Sequence, residues 1–142
     1  MNFKAQSTFT GLNLAVAQAA FEQAARLSVE QGGEAVLETA ESIVPVDTGE
    51  LRESGHVELL NAGPQPSAAV VFDTPYAAYV EYGTGERGAA SEGAGPGPYT
   101  PGWPGMPAQP YLRPSLDIER PNIVEIFAAN TALAAKSLGR NP

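Results

Sequence analysis

Val44-Pro45-Val46-Asp47-Thr48-Gly49-Glu50-Leu51-Arg52-Glu53-Ser54 is the stretch at which this chain changes period, from an alanine-rich helical pattern behind it to alternating, turn-rich sequence ahead. Pro45 has no backbone N–H and biases Val44 away from the helical region, so a helix arriving from the N-terminal side ends here. Asp47-Thr48-Gly49 turns the chain, because short polar side chains bond to nearby amides and glycine takes a positive φ without steric cost. Thr48 to Leu51 could equally open a short helical turn, with Asp47 or Thr48 as its cap. Either way Leu51 faces inward and Arg52 outward.

Working back from this corner, Leu12, Val16, Ala20, Ala24 and Leu27 fall on one helical stripe, with Leu14, Phe21, Ala25 and Val29 forming a second beside it. So broad an apolar face predicts packing on a sheet. Gly32-Gly33 costs roughly 1 kcal/mol per glycine relative to alanine, yet Val36, Leu37, Ala40 and Ile43 resume the spacing at once. One long helix is expected, with a kink at the glycine pair as its weak point. No period assigns residues 1–10 to a regular element; they read as an extended arm whose Phe3 and Phe9 could dock on a neighbour.

Forward of the corner, Gly55, Val57 and Leu59 alternate with Ser54, His56 and Glu58, the pattern of a strand with one buried face. Asn61 to Pro66 is a cluster of turn formers, and Ala68 to Asp73 reads as the returning strand of a hairpin. Pro75 suits a first helical position, and Tyr76, Tyr79, Val80 and Tyr82 give a short amphipathic helix ended by Gly83. The Gly/Pro-rich segment 85–108 is too long for an ordinary connection and reads as a functional or disordered loop. Tyr111-Leu112-Arg113 is expected as a short strand or extended lead-in, with Pro114 starting a helix that Pro121 interrupts or restarts. Ile123, Val124, Phe127, Thr131, Ala134, Ala135 and Leu138 then keep helical spacing up to Gly139.

The predicted fold is α+β: one domain, 1–142, in which a small antiparallel sheet is packed by a long N-terminal helix and a C-terminal helix. At this length ~70% of the unfolded surface can be buried, enough for one modest core. Zero cysteines exclude disulfides and thiolate metal sites, and a single histidine excludes a polyhistidine one. The first ten residues hold one Lys and lead into no apolar run of signal or membrane length. A net charge of −8, with its eight basic residues scattered, argues against a grip on nucleic acid.

Candidate chemistry is thin. His56, among Glu53 and Glu58, could serve as a base, but no Ser or Cys nucleophile elbow accompanies it, and an exposed strand histidine is the stronger reading. Gly83-Thr84-Gly85-Glu86-Arg87-Gly88 lacks the Lys-Ser/Thr of a phosphate loop. Asp47, Glu50 and Glu53 lack calcium-loop spacing and read as a capped, solvated turn. Arg52 and Arg113 could pair with Glu81 or Asp73 inside the fold or with a neighbouring subunit. The aromatic middle, Tyr76, Tyr79, Tyr82, Tyr99, Trp103 and Tyr111, suits core packing and protein interfaces better than stacking on nucleic acid, given the negative charge.

Three blocks carry a resemblance: Val44 to Ser54; Pro75-Tyr76-Ala77-Ala78-Tyr79-Val80-Glu81-Tyr82-Gly83-Thr84-Gly85; and Gln109-Pro110-Tyr111-Leu112-Arg113-Pro114-Ser115-Leu116. In this order they resemble the neck or tail-completion family of long-tailed bacteriophages. The segment between Gly83 and Pro110 departs from that pattern in its length and its glycine and proline content. The resemblance implies a non-enzymatic structural subunit of the virion, assembled in the host cytoplasm. It would form a ring at the head-to-tail junction, sixfold to match the tail, with no cofactor and no metal. Its partners would be other copies of itself and the adjoining head-connector and tail proteins, with DNA passing through the channel unbound. The subunit-interface candidates are Arg52, Tyr79, Trp103, Met106 and Arg113. Trp103 and Met106 are expected to anchor the Gly/Pro-rich segment on an adjacent subunit or on the next ring. The competing function is a small acidic module that docks a partner through that segment.

Overall fold

A computed structural model describes residues 13–84 and 104–139. The arm 1–10, Trp103 and most of the Gly/Pro-rich segment lie outside the described residues. The elements run α1 (Leu14–Ile43), α2 (Glu50–Glu53), β1 (Gly55–Asn61), β2 (Ser67–Phe72), α3 (Ala77–Tyr82) and α4 (Leu112–Leu138). The architecture is α+β: a two-stranded antiparallel sheet with the two long helices packed against it. α1 lies across both strands, α4 runs antiparallel along α1, and the first turn of α4 reaches the core through Leu112.

The corner forms as its composition requires. α1 stops at Ile43 and Val44 turns extended, at φ −59° and ψ 134°, ahead of Pro45. Gly49 takes φ 91° and is the N-cap of α2, while Thr48 Oγ1 accepts weakly from the Glu50 amide at 3.4 Å. Leu51 is buried and Arg52 exposed. Leu51 joins Leu37, Ala40, Val44, Phe72, Ala77 and Tyr111 in the core, where Phe72 and Tyr111 meet edge to face at 4.9 Å.

In the hairpin, Gly55 faces Phe72, Val57 faces Val70 and Glu58 faces Ala69, with an irregularity between Leu59 and Asn61. Asn61 fixes the turn, its Oδ1 accepting from the Gly63 amide and its Nδ2 donating to the Gln65 carbonyl. β2 ends one residue short of the predicted Asp73, whose amide still reaches the Ser54 carbonyl at 3.5 Å. Pro75 precedes α3 instead of opening it, and Tyr76 is the N-cap.

α1 is one helix through Gly32-Gly33. The glycines mark close approach: a Cβ on Gly33 would lie 2.7 Å from Val57 Cγ1, and one on Gly32 3.3 Å from Ile123 Cγ1. The predicted apolar stripe of its first half holds at Ala24 and is corrected elsewhere. Ala17, Ala24 and Ser28 are the buried residues there, while Val16, Phe21 and Leu27 are exposed and Leu14 is 79% exposed. The partner of that half is α4, not the sheet, and two helices in close contact seat small side chains between them. Tyr111-Leu112-Arg113 is corrected too: Tyr111 is the N-cap of α4 and Leu112 its first residue. Pro114 sits within the first turn, where a backbone N–H has no intrahelical acceptor to lose. Nor does Pro121 break α4. Contacts to α1 hold the helix on both sides of it, from Glu119 to Thr39 and from Asn130 to Ser28.

Candidate assembly surface

Glu81 organises the centre of the molecule. No side chain of its own caps α4, because Tyr111 stands where Ser, Thr, Asp or Asn would be. The cap comes from α3 instead. Glu81 is 4% exposed, and its carboxylate accepts from the backbone amides of Tyr111 at 2.8 Å, Leu112 at 2.9 Å and Arg113 at 3.2 Å. The Arg113 Nε donates to the same group at 3.0 Å, and its guanidinium lies 4.9 Å from the Tyr82 ring centre. Burial alone would raise the Glu81 pKa. The Leu112 and Tyr111 amides, then Arg113, outweigh it and hold the carboxyl below its usual range. A carboxylate at a helix N-terminus also meets the positive end of the helix dipole. Tyr111 is pushed up to about 12, by burial first and then by the neighbouring Glu81 charge; its hydroxyl donates to the Ala77 carbonyl at 3.4 Å.

Just after α3 the chain leaves the described region at Thr84 and returns beside it. Thr84 and Met106 exchange both backbone hydrogen bonds, at 2.9 and 3.1 Å, and the Gln109 amide donates to the Val80 carbonyl at 2.8 Å. The base of the Gly/Pro-rich segment is therefore pinned to α3. This clasp brings Met106 and Tyr79 to the corner, where with Val46, Gly49, Leu51 and Tyr76 they line a groove of about 490 Å³. Tyr76 donates to Glu50 Oε2 at 3.3 Å across it.

Of the interface residues named from sequence, Tyr79 and Met106 thus share one exposed groove with the corner. Arg52 is exposed on α2, with no ion pair to it among the described residues. Arg113 takes the intramolecular alternative through Glu81, with its side chain 41% exposed. Trp103 lies outside the described residues. His56 donates through Nδ1 to the Ser54 carbonyl and meets Glu58 Oε1 at 3.2 Å; these contacts raise its pKa, the carbonyl bond most. Among the described residues no three His, Asp or Glu side chains gather into a metal site, and no helix is long and apolar enough to cross a membrane.

Sequence reasoning named Glu81 only as one possible arginine partner and missed its capping role. The signal was available: a helix opening at Tyr-Leu-Arg-Pro with no local cap needs one from elsewhere. It also missed the polar link between the long helices, where Asn130 Nδ2 donates to Ser28 Oγ at 3.0 Å and to Gln31 Oε1 at 2.9 Å. Ser28 and Asn130 interrupt otherwise apolar and small helical stripes, which was the visible clue.

No curated protein and no solved structure matches the chain. One family model does match, over residues 12–83, which takes in α1, the corner, the hairpin and α3 up to the glycine that ends it. With half the chain inside the match, this protein belongs to the HK97-gp10-like family, described as "Bacteriophage HK97-gp10, putative tail-component".

Proposed function

We propose that this chain is a non-enzymatic, ring-forming subunit that completes or joins the phage tail at the head-to-tail junction. A tail component resides in the virion and contacts other tail proteins. The ring, its sixfold order, its contacts with the head connector and its assembly in the host cytoplasm belong to the proposal. One observation carries it: outside the sheet end, the two long helices present large apolar side chains to solvent, including Leu14, Val16 and Phe21 on α1 and Val124 and Leu133 on α4. These side chains lie on several faces of the two helices and are free to be covered by other chains. Head-to-tail contacts between identical subunits close into a ring when the rotation between neighbours allows it.

Arg52, Tyr79 and Met106 around the corner, together with Trp103, are the contact residues this reading assigns; Arg113 serves the fold first. The net charge of −8 suits a channel that repels phosphate and lets duplex DNA pass without holding it. Light scattering of the full chain over a concentration series tests the ring: a discrete, closed species of about six subunits is expected. A monomer at every concentration, or duplex binding that weakens steeply with salt, would overturn the reading.

A further inference from the structure

Among the described residues no strand pairs with the outer edge of β2, which faces an apolar trough. The Asp73 amide bonds across to Ser54, so by alternation the amides of Val71 and Ala69 also point to β1, and those of Ala68, Val70 and Phe72 point away from it. Beyond that edge lies a cavity of about 530 Å³ lined by Val29, Val36, Val70, Leu116, Ile123 and Phe127. Its geometry follows from widths. Two strands spaced ~4.8 Å apart make a sheet about one helix wide, whereas α1 and α4 side by side present a face twice as broad. A strand added outside β2 would lie over this trough and bury it. β2 also carries no charge or proline, devices that normally protect an edge, while β1 has Glu58 and an irregular end.

Residues 1–12 supply a strand of suitable pattern. Phe3, Ala5, Ser7 and Phe9 alternate with Lys4, Gln6, Thr8 and Thr10, which places both aromatic rings on one face of an extended chain. Lys4 is the segment's one charged side chain, joining it to a chain of net charge −8. Reach decides whose arm it is. From Asn13 to the near end of the trough at Val29, α1 spans ~24 Å. The four residues from Phe9 to Asn13 extend at most ~14 Å. A chain cannot lay Phe3 to Phe9 along its own β2.

We infer that the arm of residues 1–12 of one copy adds as a third strand to β2 of the next copy, with Phe3 and Phe9 seated in the trough between β2 and α4. Main-chain hydrogen bonds to Ala68, Val70 and Phe72 supply affinity, and the alternate side chains fix the register. The inference rests on the self-assembling reading above, and it adds the joint between neighbours.

Amide hydrogen exchange on the full chain tests it. In the assembled state Ala68, Val70 and Phe72 should exchange at least tenfold more slowly than in dilute monomer, while Ala69 and Val71 stay protected in both. The double variant Phe3→Asp, Phe9→Asp should lose that protection and assemble at concentrations at least tenfold higher, with the monomer's thermal melting unchanged. An oligomer whose three edge amides exchange freely overturns the strand joint and leaves the ring standing. Protection that survives the double variant shows that another strand occupies the edge, and protection in the monomer shows a contact within one chain; each overturns the inference. A wild-type chain that stays monomeric overturns both the ring and its joint.

Discussion

The sheet end of the molecule and the far end of its helix pair use the same two helices and bury different things. At the sheet end α1 gives Leu37, Ala40 and Val44 to a core shared with Leu51, Phe72, Ala77 and Tyr111, and Glu81 holds the first turn of α4 in place. At the far end the buried residues are Ala17, Ala24, Ser28, Asn130 and Ala134, while the large side chains Leu14, Val16 and Leu133 face outward. A helix pair that keeps small residues inside and large apolar ones outside gains little from folding alone. Its outer surface is available to neighbours. Stability therefore concentrates at the corner and the Glu81 cap, while the far end adds exposed apolar side chains to the groove at the corner.

The strongest test of that division is Glu81→Gln. It replaces a buried carboxylate facing three amides and a guanidinium with a neutral amide that brings its own donors, and about 3 kcal/mol of stability should be lost. Urea unfolding at several pH values adds a signature. The folded pKa of Glu81 is depressed, so its contribution is fully present above the ordinary carboxylate range and is lost as pH falls through the folded value. The variant should therefore show a flatter acid limb than the parent. Equal midpoints and equal acid limbs would remove the cap from its central place.

A middle-sized effect is expected from Asn130→Ala. Removing the amide leaves Ser28 Oγ without its cross-helix donor in a buried site and should cost about 1–2 kcal/mol. Exchange should quicken first in residues 14–31 of α1 and only later around Leu37 and Ala40. A uniform loss of protection would show that the two ends unfold as one unit and that the contrast between them is only geometric.

The smallest effect on the folded chain should come from Leu133→Gln. Leu133 is 63% exposed, so thermal melting of the monomer should stay within about 0.5 kcal/mol of the parent. The fraction assembled at a given concentration should fall in light scattering. Unchanged assembly would show that this end faces solvent in the virion and that the neighbours meet elsewhere.

Much of this was legible beforehand because it depends on local physics. Gly49 needs a positive φ whatever surrounds it, Pro45 ends any helix reaching it, and alternation from Gly55 with turn formers at Asn61 to Pro66 specifies a hairpin. These fixed the α+β class and the corner. The candidate surface was legible in part: Tyr79 and Met106 were named, but only the Thr84–Met106 clasp brings them to one groove, and hydrogen bonds between residues 22 apart leave no periodic trace.

What the sequence determined by itself is the order and type of the elements, because propensity, period and turn chemistry act over a few neighbouring residues. What only the tertiary structure decided is which face of each helix is inside and how α4 begins. The apolar stripe of the first half of α1 was right at Ala24 and otherwise misassigned, because its partner is a helix at close range, which selects Ala17 and Ser28 over Val16 and Phe21. Pro121 failed to stop α4 because contacts to α1 on both sides offset one missing backbone bond. Glu81 became a cap because folding carried it 30 residues along the chain to the amide of Tyr111, a pairing set by distance in space.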